Sequence, residues 1–592
     1  MFMRYAFIKA EERTFGRKKG GFSMKKAISV MMAAAMLTAC MGAAGAESCT
    51  ATEKGFGGDV SVTLTIENDV LKQVEITGEH ETVGIGQRAI EEMAPAMVKK
   101  NSVEVDALSG ATITSTAILN AAKAALAQSG VQLTANEIED ETVTYEDTKT
   151  QVVVVGAGIA GMTAAMELKD AGIDVIVLEK GGVIGGAATT SAGAIWAIGA
   201  KETSEIYDFT ADELYDFFNK QAGPVHNKDV FYALAGESLN SKTYMESLGV
   251  TFPTTFQCNP SADTRFNGYF ANNSGIGMIE AMSKAFYKRD IDLRLGNRMT
   301  ELVQAADGSI TGVKVQAGDS TYTIEADKVL LATGGFGQNP EMCAEYIPDY
   351  AVILSNMTIS GATGDGHQAA WAVGAGKVGE GNLGFIDQLM DMEIVQFGMP
   401  LTVATTGEQV CPANEHYTHM YEVIKGLADP VVYCIYPADI ANYTPWGDQA
   451  VMERHVANGE LVKADTIEEL AQLCGIDADT LVKTVEEHNR QCDAGESDAF
   501  DTPLEDMIPV KVGPYYAYAR HAAMIGTITA VTVDEHMHVT NENGEVIPNL
   551  YAAGEMIFGN WFNSDYPMSG TGLSSCVSGA RIASAEMAEL LK

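Results

Sequence analysis

The spacing of apolar residues changes several times along the 592-residue chain, and each change marks the start of a different secondary-structure element. From Val60 to Ile66 apolar residues alternate with polar ones, and after a turn at Asn68-Asp69 the chain returns as a second strand from Leu71 to Ile76. This period of two predicts a half-buried β-hairpin. Helical spacing follows at Ala89 to Val98 and again at about Thr114 to Ala127. Together these elements predict a small α+β domain over residues 49–129.

A different pattern begins at Gln151. Val152 to Val155 is a continuous apolar run, typical of a buried parallel strand, and it stops at Gly156, Gly158 and Gly161 in G-x-G-x-x-G spacing. Residues 160–171 then read as a helix and 175–178 as a second strand ending at Glu179. The glycines allow a tight turn and close approach to a pyrophosphate, and the terminal acid can accept hydrogen bonds from ribose hydroxyls. The stretch therefore predicts a dinucleotide-binding βαβ unit.

The region between these two patterns is acidic and lacks periodic hydrophobicity. Thr134 to Lys149 contains six acidic residues, and we predict a linker over residues 130–149. The whole chain has 39 basic and 79 acidic residues, which gives a formal net charge of −40. Such a surface repels nucleic acid, so a polynucleotide partner is not expected. Solubility explains the acidity, and an acidic docking face for a basic redox partner is the open alternative.

The N-terminal residues indicate a targeting segment. Lys25-Lys26 precedes the apolar run Ala27 to Leu37, which is too short to span a bilayer. We therefore predict a signal peptide within residues 1–46, with translation starting at Met24. Leu37-Thr-Ala-Cys40 resembles a bacterial lipobox, which implies an exported protein anchored to the membrane by a lipid on Cys40. Ala44-Gly-Ala46 is a competing cleavage site.

The nine cysteines are scattered and contain no C-x-x-C pair. This distribution argues against a zinc site, an iron–sulfur centre and a covalently attached haem. We expect no metal site in this chain.

Further glycine-rich segments follow the dinucleotide turn: Gly181 to Gly193, Ala332-Thr-Gly-Gly335, Thr363-Gly-Asp-Gly366 and Tyr551-Ala-Ala-Gly-Glu555. In this order they resemble the succinate dehydrogenase and fumarate reductase flavoprotein superfamily, including its flavocytochrome c-like fumarate and urocanate reductases. The resemblance implies an α/β fold, with a Rossmann-like FAD-binding domain at 150–377 and 526–592 and an inserted α+β capping domain at 378–525. It implies non-covalent FAD, held by Gly156, Gly158, Ala160, Gly161, Glu179, Ala192, Gly193, Thr333, Gly334, Asp365, Glu555 and Leu573.

The small N-terminal domain carries a second resemblance. Asp106-Ala-Leu-Ser-Gly-Ala-Thr112 resembles the recognition sequence of an FMN-binding domain in which a flavin transferase attaches FMN to threonine through its phosphate. The resemblance implies covalent FMN on Thr112, where the start of a helix favours a phosphate. Thr114 and Ser115 are fallback acceptors. The alternative is that Ser109, Thr112 or Thr114 is an ordinary helix cap.

The catalytic residues of the resembled family are replaced here. Its reductases give a proton from an arginine four residues after an Asn-Glu pair, whereas Asn414-Glu415 is followed at that spacing by His419. A second family arginine, for the substrate carboxylate, aligns with Pro567, and the expected histidine is absent around Gly526 to Thr529. A buried dicarboxylate without arginine partners is unfavourable, which argues against fumarate. The acidic and aromatic residues left near the expected site are Tyr417, His419, Tyr515, Tyr516, Asp565 and Tyr566.

The resemblance, with these departures, predicts an extracytoplasmic reductase of a carbon–carbon double bond conjugated to a carbonyl group or ring. We expect His419 or Tyr417 to give the proton, with Tyr516 and Tyr566 as further catalytic candidates. Electrons would come from an external donor, membrane quinol-linked or soluble, through FMN to FAD, and the alkene would be a respiratory acceptor. Two alternatives stay open: a ketosteroid-type FAD enzyme, suggested by Gly513-Pro-Tyr-Tyr516 and Tyr566-Pro, and a non-enzymatic extracellular flavin electron carrier.

Overall fold

The structure is a computed structural model that describes residues 46–108, 110–137, 145–200, 209–257, 267–386, 400–413, 415, 417–443, 449–563 and 566–592. The predicted signal peptide with Cys40, together with Ser109, Asn414 and Asp565, lies outside these residues. The chain divides into two compact units. The N-terminal unit runs to residue 144 and takes in the short segments 181–184 and 317–319, and the large unit contains the rest.

The N-terminal unit contains a three-stranded antiparallel sheet in the order β1-β2-β3, and two helices. Its elements are β1 (Ala46–Lys54), β2 (Asp59–Glu67), β3 (Val70–Thr77), α1 (Gly86–Lys100) and α2 (Thr112–Ser129). The alternating residues Val60, Val62 and Leu64 are fully buried. Asn68 and Asp69, with φ of 53° and 62°, make the tight turn between β2 and β3. The predicted hairpin and both helices are therefore present.

The large unit contains most of the strands. They are β4 (Thr148–Val155), β5 (Val175–Glu179), β6 (Ala194–Ile195), β7 (Thr254–Gln257), β8 (Asn267–Phe270), β9 (Asp292–Leu295), β10 (Asn297–Gln304), β11 (Ile310–Ala317), β12 (Ser320–Leu331), β13 (Ser355–Asn356), β14 (Lys377–Val378), β15 (Asn382–Ile386), β16 (Leu401–Ala404), β17 (Val431–Tyr436), β18 (Val462–Ala464), β19 (Tyr515–Thr527), β20 (Ala530–Val531), β21 (His538–Thr540) and β22 (Val546–Ala552).

Its helices lie between and after these strands. They are α3 (Ile159–Asp170), α4 (Ala211–Gln221), α5 (Lys228–Ser247), α6 (Ser274–Tyr287), α7 (Pro340–Tyr346), α8 (Asp365–Ala372), α9 (Tyr417–Lys425), α10 (Gln449–Ala457), α11 (Ile467–Cys474), α12 (Ala478–Ala494) and α13 (Thr571–Leu590). Short 3₁₀ helices occur at Gly186–Thr190, Tyr350–Val352, Ile440–Asn442 and Gly554–Asn560. Within the described part of the chain, none of the helices combines the length and apolar character that a bilayer span requires.

The FAD-type part is built on an eight-stranded sheet whose main order is β10-β11-β12-β4-β5-β9. Strand β4 lies between β12 and β5 and is parallel to both, and β22 is parallel to β12 on its other side. Val152, Val153 and Val154 are fully buried because strands and helices cover both faces of a central parallel strand. The α/β fold class with a Rossmann-like unit is confirmed.

The inserted part is built on a separate six-stranded sheet with β19 at its centre, paired to β13, β15, β17 and β18. Helices α11 and α12 begin where Thr466 and Asp477 accept hydrogen bonds from the backbone N–H groups of Glu469 and Thr480. We call this part the cap. Strand β19 runs through the boundary predicted at residue 526, so one continuous strand joins the cap to the FAD-type part.

Candidate functional site

The dinucleotide turn lies at the carboxyl end of β4. Gly156 has a φ of +102°, and a Cβ atom there would lie 2.3 Å from the carbonyl oxygen of Ala332. A Cβ atom on Gly161 would lie 1.8 Å from the carbonyl oxygen of Gly156. Both positions need glycine because backbone atoms cannot move aside. Gly158 precedes α3, and Ala160 lies in its first turn, so the free N–H groups of this helix face the turn.

A second loop passes close to this turn. Gly158 and Gly185 form an isolated bridge, and a Cβ atom on Gly186 would lie 3.1 Å from the Cα atom of Gly158. At the end of β5, the carboxylate of Glu179 accepts a hydrogen bond from the backbone N–H of Ala157 at 3.0 Å. The two glycine loops therefore present bare backbone beside an acid, which suits a pyrophosphate and its adjacent ribose.

Two more loops present backbone without side chains. Gly193, next to Ala192, has a φ of +70°, and a Cβ atom there would lie 2.5 Å from the carbonyl carbon of Ser274. After β12, Gly334 follows Thr333 with a φ of +73°, and a Cβ atom on Gly335 would lie 1.9 Å from Glu555 Oε1. A Cβ atom at Gly193 or Gly335 would clash with protein atoms, so both loops keep backbone without side chains. We call these loops cradles, and bare backbone of this kind would suit a flat, extended ligand such as FAD.

Glu555 lies behind the second cradle. Its Oε1 accepts hydrogen bonds from the Thr527 backbone N–H at 2.8 Å and the Thr527 hydroxyl at 3.0 Å. Burial raises the pKa of Glu555, and the hydrogen bonds from Thr527 and Gly335 partly oppose this rise. Leu573 lies in the first turn of α13, close in sequence to Cys576, whose pKa burial also raises.

Asp365 is held by protein groups that the sequence reading missed. Lys180 Nζ lies 3.0 Å from its carboxylate, and Arg298 donates two hydrogen bonds to it at 3.0 and 2.7 Å. Burial alone would raise the pKa of Asp365, but the hydrogen bonds from Arg298 and Lys180 hold it below its usual value. The side chain of Asp365 thus fixes the loop at the start of α8.

Two of the predicted tyrosines lie near the start of α13. The hydroxyl of Tyr417, on helix α9 of the cap, lies 2.8 Å from the hydroxyl of Ser569, and its ring packs against Phe385 with centroids 4.6 Å apart. The Tyr566 hydroxyl accepts a hydrogen bond from the backbone N–H of Gly572 at 3.1 Å. Cap and FAD-type part therefore both contribute phenols here.

His419 contacts a carboxylate that the sequence analysis did not include. Its Nδ1 lies 2.7 Å from Glu415 Oε2, one helical turn earlier. The His419 side chain is 63% exposed, whereas that of Glu415 is 5% exposed. A buried carboxylate thus orients an accessible imidazole, as a general acid requires. The spacing of four residues could have revealed this pair from sequence.

Tyr516 does not lie with Tyr417 and Tyr566. Its ring is fully buried in the cap core with Cys434, Tyr436 and Met452, and its hydroxyl donates to Glu453 at 2.8 Å. Tyr515, beside it, donates to the backbone carbonyl of Lys511 at 3.1 Å. We therefore remove Tyr516 from the group of residues that could transfer a proton.

The N-terminal unit has its own candidate site. Thr112 is the first residue of the 18-residue helix α2, and its side chain is exposed. A phosphate on its hydroxyl would meet the free N–H groups of the first turn. The position fits the phosphate of FMN.

Comparisons with known proteins match both parts. The FAD binding domain family matches residues 151–573, and the FMN-binding domain family matches residues 55–127. A urocanate reductase of Eggerthella lenta is 28% identical over 86% of this chain and 87% of its own length. An NADH:acrylate oxidoreductase of Vibrio harveyi is 25% identical over 86% of this chain and 58% of its own length. The open conformation of a flavocytochrome c3 fumarate reductase is similar in fold, with a TM-score of 0.61 and 24% identity over 77% of this chain and 83% of that one.

Proposed function

The chain belongs to the FAD binding domain family, and we propose that this flavin-dependent oxidoreductase reduces a carbon–carbon double bond conjugated to an aromatic ring or a single carboxyl or carbonyl group. The observation that carries the proposal is the contact between His419 and Glu415. By the resemblance, the spacing of His419 from Asn414-Glu415 is the one at which the fumarate reductases have an arginine. An imidazole with a carboxylate partner gives a proton to a substrate carbon but does not form the bidentate clamp that a dicarboxylate needs.

The aromatic residues support a substrate with a flat group. Phe385 and Tyr417 lie side by side at the contact between the cap and Ser569, and Tyr566 packs beside Phe562 with ring centroids 6.3 Å apart. Aromatic side chains favour a ring in offset or edge contact and supply hydroxyl groups for a polar end. A urocanate- or cinnamate-like acid has both features, and the urocanate reductase relative agrees with this class.

Bound FAD would supply the electron pair for the reduction, and FMN on Thr112 would carry electrons to it from an external donor. Within the chain, the loops at Gly158, Gly193 and Gly335 would hold the FAD, and His419 would deliver the proton with Glu415 fixing its ring. Attachment of FMN would require a flavin transferase as a maturation partner. The exposed Thr112 hydroxyl at the start of α2 supports it as the acceptor.

The N-terminal sequence supports an extracytoplasmic location. Lys25-Lys26, the apolar run and the lipobox ending at Cys40 favour export and a lipid anchor. Mass spectrometry of the mature N-terminus tests this: a diacylglyceryl group on Cys40 is expected, and a free N-terminus after residue 46 would point to ordinary secretion.

The central test follows flavin reoxidation. The chemically reduced holoprotein is mixed without oxygen with urocanate, cinnamate, acrylate, fumarate and an enone steroid, and flavin absorbance is recorded. We expect urocanate or cinnamate to reoxidise the flavin faster than fumarate. Reoxidation by fumarate alone would contradict the proposed substrate class, and no reoxidation by any alkene would favour an electron carrier.

A ketosteroid-type activity is the second candidate. The observation favouring it is the pair of tyrosines, Tyr417 and Tyr566, which contact Ser569 and Gly572 near the start of α13. Phenols can hydrogen-bond a ketone oxygen. Reoxidation by the enone steroid, without reoxidation by the acids, would select this alternative.

A further inference from the structure

The segment before and within the first turn of α2 contains several hydroxyl groups, and the structure treats them differently. Thr112 is exposed, whereas Thr114 is 2% exposed and Ser115 is fully buried. The Ser115 hydroxyl accepts a hydrogen bond from the backbone N–H of Leu108 at 3.1 Å. The Thr114 hydroxyl donates to Glu81 Oε2 at 2.6 Å. Thr112 is therefore accessible to solvent, whereas Thr114 is not.

Glu81 is the residue that holds Thr114. Its side chain is buried, with the residue 3% exposed, and its other oxygen accepts a hydrogen bond from the backbone N–H of Gly57 at 2.9 Å. A carboxylate accepts at both oxygens, so it satisfies two donors that approach from different segments. A buried acid with both oxygens engaged is costly to rearrange, so this contact fixes the Thr114 side chain.

The glycines around Glu81 leave space for its carboxylate. A Cβ atom on Gly86 would lie 2.5 Å from Glu81 Oε2 and 2.9 Å from the Thr114 hydroxyl oxygen. A Cβ atom on Gly55 would lie 2.3 Å from Glu81 Oε1. The nearest atoms are the ends of flexible side chains, so an alanine at Gly86 would push the carboxylate away from Thr114.

We propose that Glu81 determines which hydroxyl receives the flavin, by keeping Thr114 buried so that Thr112 is the acceptor. This inference rests on the proposed attachment of FMN. In that step the threonine oxygen forms a bond to the FMN phosphorus of a flavin dinucleotide, and the phosphoanhydride bond breaks. The nucleoside monophosphate leaves, the hydroxyl proton passes to a base, and no electrons are exchanged.

A carboxylate bonded to a hydroxyl can also act as the base that activates it. Here burial decides against this role, because a flavin phosphate cannot reach a hydroxyl that is 2% exposed. Glu81 therefore protects Thr114, and removal of its charge makes Thr114 available.

The test uses the full chain co-expressed with a flavin transferase, and covalent flavin is located by peptide mass mapping after denaturation. Thr112→Val removes the proposed acceptor, and we expect it to abolish covalent flavin. Thr112→Val combined with Glu81→Gln should then carry flavin on Thr114, which Thr112→Val alone does not, because the charge-assisted hydrogen bond to Thr114 is lost. Thr112→Val combined with Gly86→Ala should give the same shift, because it displaces the carboxylate without removing it.

A matched control separates site selection from general loosening. Asn101 is buried in the same unit, and its side chain accepts from the backbone N–H of Leu71 at 2.7 Å, away from α2. Thr112→Val combined with Asn101→Ala should lose stability in thermal unfolding but carry no flavin on Thr114.

The possible outcomes distinguish the inference from the proposed function. Flavin on Thr114 in Thr112→Val with Glu81 intact would overturn the inference, as would a folded Glu81→Gln double variant that carries no flavin. In both cases, flavin on Thr112 of the wild-type chain would leave the proposed function standing. A wild-type chain without covalent flavin would overturn both.

Discussion

Single buried polar residues decide the chemistry that this chain supports. Glu415 is buried and one of its oxygens contacts the exposed imidazole of His419, so it fixes a ring that solvent can reach. Glu81 does the reverse, because it keeps the hydroxyl of Thr114 inside. In both places a carboxylate positions a neighbour rather than reacting itself.

His419→Gln should slow alkene-dependent flavin reoxidation by about 10²–10⁴-fold, the usual contribution of a positioned general acid. Glu415→Gln should cause a smaller loss of about tenfold, because the imidazole remains but loses its charged partner. Stopped-flow absorbance of the pre-reduced protein measures both. Tyr433→Phe, which removes a cap hydroxyl bonded to the Cys474 carbonyl, is the matched control and should leave the rate unchanged. Equal rates for His419→Gln and wild type would exclude His419 as the proton donor.

His367 makes stability depend on pH. It is fully buried, lies 5.4 Å from the ring centroids of both Phe336 and Trp371, and burial lowers its pKa to about 4. Below the ordinary histidine pKa of about 6.5, His367 becomes protonated in the unfolded chain but stays neutral in the folded chain. The free energy of unfolding should therefore fall by about 2 kcal/mol between pH 7 and pH 5 because of this residue.

His367→Leu should remove that part of the pH dependence. Urea unfolding followed by tryptophan fluorescence measures it, since the tryptophans in the described part of the chain, residues 196, 371 and 561, belong to the large unit. His80→Leu, at an exposed histidine of the N-terminal unit, is the control. If His367→Leu and wild type lost equal stability on acidification, the titration would belong to other groups.

At the scale of elements, the dinucleotide turn depends on glycine at the first turn of α3. Gly161→Ala would place a Cβ atom 1.8 Å from the Gly156 carbonyl oxygen, so helix and turn must separate. We expect FAD occupancy of the purified protein to fall at least severalfold and its unfolding temperature to drop. Gly236→Ala in helix α5, where the added Cβ meets no atom within 4 Å, should instead stabilise by about 1 kcal/mol. Unchanged flavin absorbance per protein in Gly161→Ala would contradict this reading.

The elements that the sequence predicted are those whose pattern is local. Val152 to Val155 reads as a buried strand, and the alternation from Val60 to Ile66 reads as one strand of a hairpin. The sequence did not predict strand β1, because Ala46 to Lys54 is mostly polar and forms a strand only through its pairing with β2. At the site, neither Ser569 near Tyr417 nor Arg298 at Asp365 could be inferred, because these contacts join residues 152 and 67 positions apart.

At the scale of the whole molecule, the dominant property is charge. A formal net charge of −40 produces a field that attracts cations and repels anions over a distance set by salt. Electron exchange with a soluble donor should therefore depend on the charge of that donor.

The oxidised holoprotein should accept electrons from the cationic dye methyl viologen, in reduced form, more slowly as salt rises. Reduction by a reduced anthraquinone disulfonate, an anion, should become faster, because screening weakens repulsion. Stopped-flow measurements from about 0.01 to about 0.15 M salt cover Debye lengths of about 30 to 8 Å. A neutral reduced quinone is the control. The same salt dependence for both charged dyes would show that the net charge does not govern their approach.

Strand β19 runs unbroken from the centre of the cap sheet to Thr527, whose backbone N–H and hydroxyl both bind Glu555. Any rotation of the cap must therefore either bend the end of β19 or move the carboxylate of Glu555. The affinity for a ligand that closes the cap is then thermodynamically linked to the affinity for FAD. Such a ligand should therefore slow the dissociation of FAD, and removal of FAD should leave the cap less restrained.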